Sequence, residues 1–220
     1  IGARIIRALD DSGLLGSGIR ILGTNAIYAF EAAAGVFVEA GLTTTGDIDL
    51  LLDSRQGLTF AAHDSISEVS LMQILRKLDR SFERSSQTFR AANRDGYLVD
   101  LIKPMRNPPW TKEPNSIGAD PDDLTAAEIT GLEWLENAPP FESVVIDEKG
   151  DPLRMVTADP RVWAAHKLWL SGRSDRDPLH RPRDKKQAEA VAQLVRDYFP
   201  HLPFAADELR MLPRPVFENA

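Results

Sequence analysis

The chain has 220 residues, 43% hydrophobic and 27% charged, which is the make-up of a water-soluble globular protein with room for one large domain or a core plus a smaller part. There is no cysteine, which excludes disulfides, zinc-thiolate centres and thiol nucleophiles, and no apolar run approaches the length of a membrane span. A net charge of −7 argues against a general nucleic-acid coat protein, whose affinity would rest on neutralising phosphates. Ile1 is not an initiator methionine, so the chain is read as trimmed, and the lack of cysteine fits a reducing, cytoplasmic setting.

In chain order, Ile19 to Leu22 is predicted as a short strand broken by Gly23, and Asn25 to Ala34 as a helix closed by Gly35. Val36 to Val38 is predicted as a second short strand. A Thr-rich turn over 41–46 leads into the apolar strand holding Asp47, Ile48 and Asp49. Ile66 to Leu78 carries the apolar stripe of an amphipathic helix. Gln87 to Ala92 and Tyr97 to Lys103 form two strands joined through Asn93-Arg94-Asp95-Gly96, a hairpin signal. Five prolines over 104–124 mark a long loop. Beyond it come a helix over 126–136, a hairpin over 141–156 turning at Lys149-Gly150-Asp151, a helix opened by Asp159-Pro160, and another over 185–198. The division is therefore a core over 1–104, a loop or linker over 105–124, and a hairpin with a mostly helical C-terminal part over 125–220. This order reads as an α/β (α+β) fold, a small mixed sheet flanked by helices.

The chemistry concentrates at three places. Alternation along a strand turns Asp47 and Asp49 to one face and Ile48 and Leu50 to the other. Two neighbouring carboxylates repel unless a cation sits between them, and two carboxylates plus substrate phosphates is a common way to hold Mg²⁺. Asp100 stands alone inside the apolar strand 97–102, where an unpaired carboxylate is costly. Gly23-Thr24 lies between strand and helix, where glycine permits close backbone approach and free amides can meet phosphate. Each feature alone has a plain structural explanation as a turn, a solvated strand end or a satisfied carboxylate. Their order along the chain points to metal-dependent chemistry on a nucleotide phosphate.

On those residues the chain resembles the nucleotidyltransferase superfamily related to DNA polymerase beta, whose pattern is a hydrophobic-Gly-[Gly/Ser] turn, Asp-x-Asp, and a later strand acid. Gly23-Thr24-Asn25-Ala26, Tyr28, Glu31, Gly35 and Thr45-Gly46-Asp47-Ile48-Asp49-Leu50 are similar to an uncharacterised bacterial branch near the abortive-infection toxin nucleotidyltransferases. The match is weaker over the C-terminal half, at Trp163 to Leu168 and Arg183-Asp184. Thr24 replaces the commoner Ser or Gly, and the gap from Gly23 to Asp47 is longer than in minimal members. The resemblance implies a nucleotidyltransferase fold and transfer of a nucleoside monophosphate from a nucleoside triphosphate, ATP among them, to a hydroxyl of RNA, a protein or a small molecule. It implies Mg²⁺ or Mn²⁺ on Asp47, Asp49 and Asp100, with Asp100 helping to deprotonate the acceptor, and phosphates cradled at Gly23, Thr24 and Asn25.

Cations for the triphosphate are sought at Lys167, in an otherwise apolar helix where snorkelling at the helix edge is the plain alternative, and at Arg183, for which a solvated, charged helix start with Asp184 is the slightly favoured plain reading. Arg55 follows the Asp strand. The basic stretch from Arg173 to Lys186 could hold a tRNA end. The four histidines lack ligand spacing, and His166 is read as packed or exposed. The competing reading is a catalytically silent module that binds nucleotide or a partner in a toxin–antitoxin or regulatory pair; retention of all three carboxylates argues for the enzyme.

Overall fold

The computed structural model describes residues 1–53, 70–108, 113–118 and 120–219. A helix the sequence reading did not anticipate comes first, α1 (Gly2–Asp11), burying Ile5, Ile6 and Leu9. It is followed by β1 (Ile19–Leu22), a 3-10 turn over Gly23–Asn25, and α2 (Ala26–Ala34), which ends at Gly35 in the left-handed conformation. Residues 36–38 form no strand. They lead instead to α3 (Ala40–Thr43), and the Val38 amide donates to Glu31 Oε1 at 2.6 Å rather than to a sheet.

The centre of the molecule is β2 (Asp47–Leu52), antiparallel to β1 and parallel to β5 (Leu98–Pro104). Between them in sequence lies α4 (Leu71–Leu78), the latter part of the expected amphipathic helix; residues 66–69 and Arg55 lie outside the described residues. Ser70 caps α4 by accepting from Gln73 N–H, as a serine before an apolar-periodic run does. The short strands β3 (Glu83–Arg84) and β4 (Arg90–Ala92) continue the sheet, and β4 turns into β5 through Gly96 at φ +80°. The expected hairpin is present, with its first strand beginning at Arg90 instead of Gln87.

The helix expected over 126–136 is split. Ala127–Ile129 is a strand, β6, parallel to the end of β5, and only Leu132–Asn137 is helical, α5, entered through Gly131 at φ +91°. A Trp169 ring carbon and His166 Nε2 would lie 2.7 and 3.4 Å from any Cβ at position 131, so the close approach requires glycine there. Among the described residues the main sheet runs β1-β2-β5-β4-β3, with β6 beside the far end of β5.

A separate antiparallel pair, β7 (Pro140–Ile146) and β8 (Pro152–Ala158), is the second expected hairpin. After it come α6 (Pro160–Gly172), capped by Asp159, α7 (Arg181–Tyr198), one turn longer at its start than expected, and α8 (Arg214–Asn219). A single apolar core joins Ile21, Leu50 and Leu101 of the sheet to Val156, Trp163 and Val191 of the later elements. The fold is thus a mixed sheet flanked by helices with a helical C-terminal part. No helix among the described residues is long and apolar enough to cross a membrane.

Candidate active site

The parallel pairing of β2 and β5 sets Asp49 directly beside Asp100. Asp47 and Asp49 are half-buried on one face of β2 while Ile48 and Leu50 are wholly buried on the other, as alternation requires. Asp47 is held from three sides. Its carboxylate accepts the Thr45 hydroxyl, its backbone carbonyl accepts Asn25 Nδ2 at 2.7 Å, and the Tyr97 hydroxyl lies 3.5 Å from that carbonyl. Burial first, then the charge of Asp47, raises the Tyr97 pKa, so the phenol stays protonated.

Gly23 closes on this face. It sits at φ +59°, and a Cβ there would lie 1.9 Å from Asp49 Oδ2. Backbone conformation and contact both require glycine. Thr24 is buried, and its hydroxyl accepts Gln187 Nε2 of α7 at 3.2 Å; the same amide reaches the Leu42 carbonyl at 2.7 Å. The Trp163 indole donates to the Gly23 carbonyl at 3.2 Å. Helices α6 and α7 are therefore both fastened to the Gly-Thr turn.

Burial, followed by the charge of Asp47, pushes the Asp49 carboxyl up to about 6; Lys167 and Arg176 pull it down and Asp100 pushes it up. A surplus of negative charge is thus confined at Asp49. Asp100 is neutralised differently. Arg90 on the neighbouring strand donates Nε to Oδ1 at 2.7 Å and Nη2 to Oδ2 at 2.6 Å, a two-pronged ion pair. Among the described residues no three His, Asp or Glu side chains are grouped as a ready metal site. Asp47 and Asp49 fit a cation that completes its shell from substrate phosphates, whereas both oxygens of Asp100 accept from Arg90.

A family model described as Nucleotidyltransferase matches residues 2–212. The chain belongs to that family. Neither a curated protein nor a solved structure matches it. The family match spans both the carboxylate face and the helices fastened to it.

Lys167 of this nucleotidyltransferase is 8% exposed and does not snorkel to solvent. Its ammonium donates to Asp184 Oδ1 at 2.8 Å and stands 5.5 Å from the Trp163 ring centroid. Asp184, 3% exposed in the first turn of α7, accepts Arg176 Nε on its other oxygen at 2.8 Å. Arg183-Asp184 is therefore no solvated helix start. Asp184 holds two cations whose fields reach Asp49, while Arg183 donates to the Thr44 and Leu42 carbonyls and so ties α7 to α3.

Sequence reasoning missed Arg90 and Gln187, and read Arg176 only as one of the basic stretch from Arg173 to Lys186. Arg90 had a usable signal, since the hairpin through Gly96 brings it opposite Asp100. Arg176 and Gln187 reach the site only through the packing of α6 on α7. His166 is packed between Trp134 and Trp169, and burial, then Lys167, pushes its pKa down to about 3, leaving a neutral ring.

Proposed function

We propose that this nucleotidyltransferase transfers a nucleoside monophosphate from a nucleoside triphosphate to an acceptor hydroxyl, with Mg²⁺ or Mn²⁺ held by Asp47 and Asp49. The observation that carries the reading is the register of Asp49 beside Asp100 on parallel strands, against a turn whose Gly23 admits no side chain. When bound, the cation would offset the charge gathered at Asp49 and on the phosphates. Gly23, Thr24 and Asn25 would seat the phosphates at the start of α2, and Lys167 and Arg176, already oriented by Asp184, would face their charge. The acceptor oxygen bonds to the α-phosphorus as its bond to the bridging oxygen breaks. Pyrophosphate leaves in line, and the hydroxyl proton passes to a carboxylate of the cluster. Asp100 keeps one acceptor site free on each oxygen while Arg90 holds the other, and the guanidinium makes it a weaker base and metal ligand than it would be alone. A cytoplasmic location suits this chemistry, which draws on the nucleoside triphosphate pool.

Titration calorimetry with ATP and the other nucleoside triphosphates, with and without Mg²⁺, tests the proposal. Metal-dependent binding abolished by Asp47→Ala/Asp49→Ala supports it. Folded wild-type protein that binds no triphosphate counts against it. The grip of Arg90 on Asp100 favours the second reading, a silent nucleotide-binding module, and a bound triphosphate that is never turned over would select it. A toxin role, with a neutralising partner, predicts growth arrest on expression of the wild type and none with Asp47→Ala/Asp49→Ala.

A further inference from the structure

A cleft of about 710 Å³ runs from the neighbours of Asp47 to the β7–β8 hairpin; Asp47, Asp49 and Asp100 themselves do not line it. At its inner end it is lined by Asn25, Thr45 and Tyr97, the three side chains that brace Asp47. Toward the hairpin the lining mixes apolar side chains with the acids Glu31, Asp147 and Glu148. Of the eight large hydrophobic side chains left exposed among the described residues, four belong to this cleft: Tyr28, Phe37, Val144 and Ile146. Phe37 is 96% exposed, and Val144 and Ile146 are 62% and 65% exposed, so folding alone gives these side chains no cover. Concentration of such residues at one place marks a binding surface, for another protein or for a ligand.

Two further observations narrow the occupant. No lysine or arginine lines the cleft, whereas Glu31, Asp147 and Glu148 do, and of these Asp147 is matched by Arg7 at 3.0 Å. A polyphosphate backbone would enter without a cation to meet it, which disfavours RNA at this end. Moreover, β7 pairs with β8 on one side and with no other described strand. Along it Val144 and Ile146 face outward while Val145 is buried, the alternation to which an extended chain can add itself.

From this, and resting on the transfer reaction proposed above, we infer that the acceptor is a hydroxyl-bearing side chain of a partner protein, presented on an extended, uncharged or basic segment laid along β7. The segment's apolar side chains cover Phe37, Val144 and Ile146, and its hydroxyl reaches the carboxylates past Thr45 and Tyr97. The reaction links that oxygen to the α-phosphorus and releases pyrophosphate, the proton going to the carboxylate cluster.

The test offers the full chain, with Mg²⁺ and an α-³²P nucleoside triphosphate, three acceptor pools: extended peptides bearing Ser, Thr or Tyr, bulk tRNA, and small hydroxyl compounds. Label is expected in the peptides. The Phe37→Asp/Val144→Asp variant, with its fold checked by circular dichroism, is expected to lower peptide labelling by at least about tenfold while leaving triphosphate affinity unchanged. Label on tRNA or small compounds, or no label in any pool despite bound triphosphate, overturns the inference. Loss of triphosphate affinity in the variant assigns the cleft to the nucleoside and overturns it as well. Absence of triphosphate binding by the wild type is read separately, before any acceptor is added; it removes the transfer reaction, and the inference falls with it.

Discussion

Replacing Asp49 with asparagine should make the metal-free protein more stable, although it removes the residue at the centre of the site. Asp49 moves from an ordinary 3.8 to about 6 on folding, through burial first and the charge of Asp47 second. Because the folded value is raised, the native state holds a proton that the unfolded chain releases between about pH 4 and pH 6. The stability this gives is complete below about pH 4 and is lost as pH rises through 6. At about 1.4 kcal/mol per pH unit, the ionised carboxylate costs the native state about 3 kcal/mol at neutral pH. Urea denaturation in EDTA, followed at pH 5 and pH 8, measures this. The wild type should lose about 1.4 kcal/mol more than Asp49→Asn between the two, and the variant should be the more stable at pH 8. Added Mg²⁺ should raise the wild-type midpoint and leave the variant's nearly unmoved. A variant less stable than wild type at pH 8, with the same pH dependence, would refute the idea that charge is confined at this position.

Three other substitutions probe the surrounding structure. Asp184→Ala leaves Lys167 and Arg176 without their shared carboxylate in a buried setting, and should cost about 3–5 kcal/mol by chemical denaturation. Gly23→Ala meets both a left-handed backbone and the Asp49 carboxylate; about 1–2 kcal/mol from the backbone alone, plus the displaced carboxylate, should abolish metal-dependent triphosphate binding in calorimetry. Arg90→Ala frees Asp100, and should strengthen Mg²⁺ binding and cost stability of about 1–3 kcal/mol, read by titration and thermal unfolding.

How far the sequence carried these conclusions depended on the range of the interaction concerned. Asp47, Asp49 and Ile48 were placed correctly because strand alternation is local, and Gly35, Gly96 and Gly150 announced their turns because positive φ is a property of single residues. The segment over 126–136 was misjudged because its apolar spacing suits a helix, while the free edge of β5, supplied by residues far upstream, draws Ala127–Ile129 into the sheet. Residues 36–38 look like a strand but find no partner edge. The same distance effect hid the second half of the site. Lys167 stood out as a lysine in apolar company, yet its partner Asp184 and its neighbour Arg176 are set by how α6 and α7 cross. Arg183, sought as a cation for the phosphates, places Nη2 on the Leu42 and Thr44 carbonyls, a contact set by the same long-range packing.

Because β2 and β5 are immediate parallel neighbours, the separation of the Asp49 and Asp100 backbones is a constant of sheet geometry, about 4.8 Å, and owes nothing to the chain that connects them. That connection can lengthen, shorten or be exchanged as long as Arg90 still pairs with β5. The pairing of the two acids is in this sense inherited from the lattice of the sheet, and what surrounds it is left open to drift. Divergent surroundings would erase sequence likeness to other proteins well before they disturbed the spacing of the two acids.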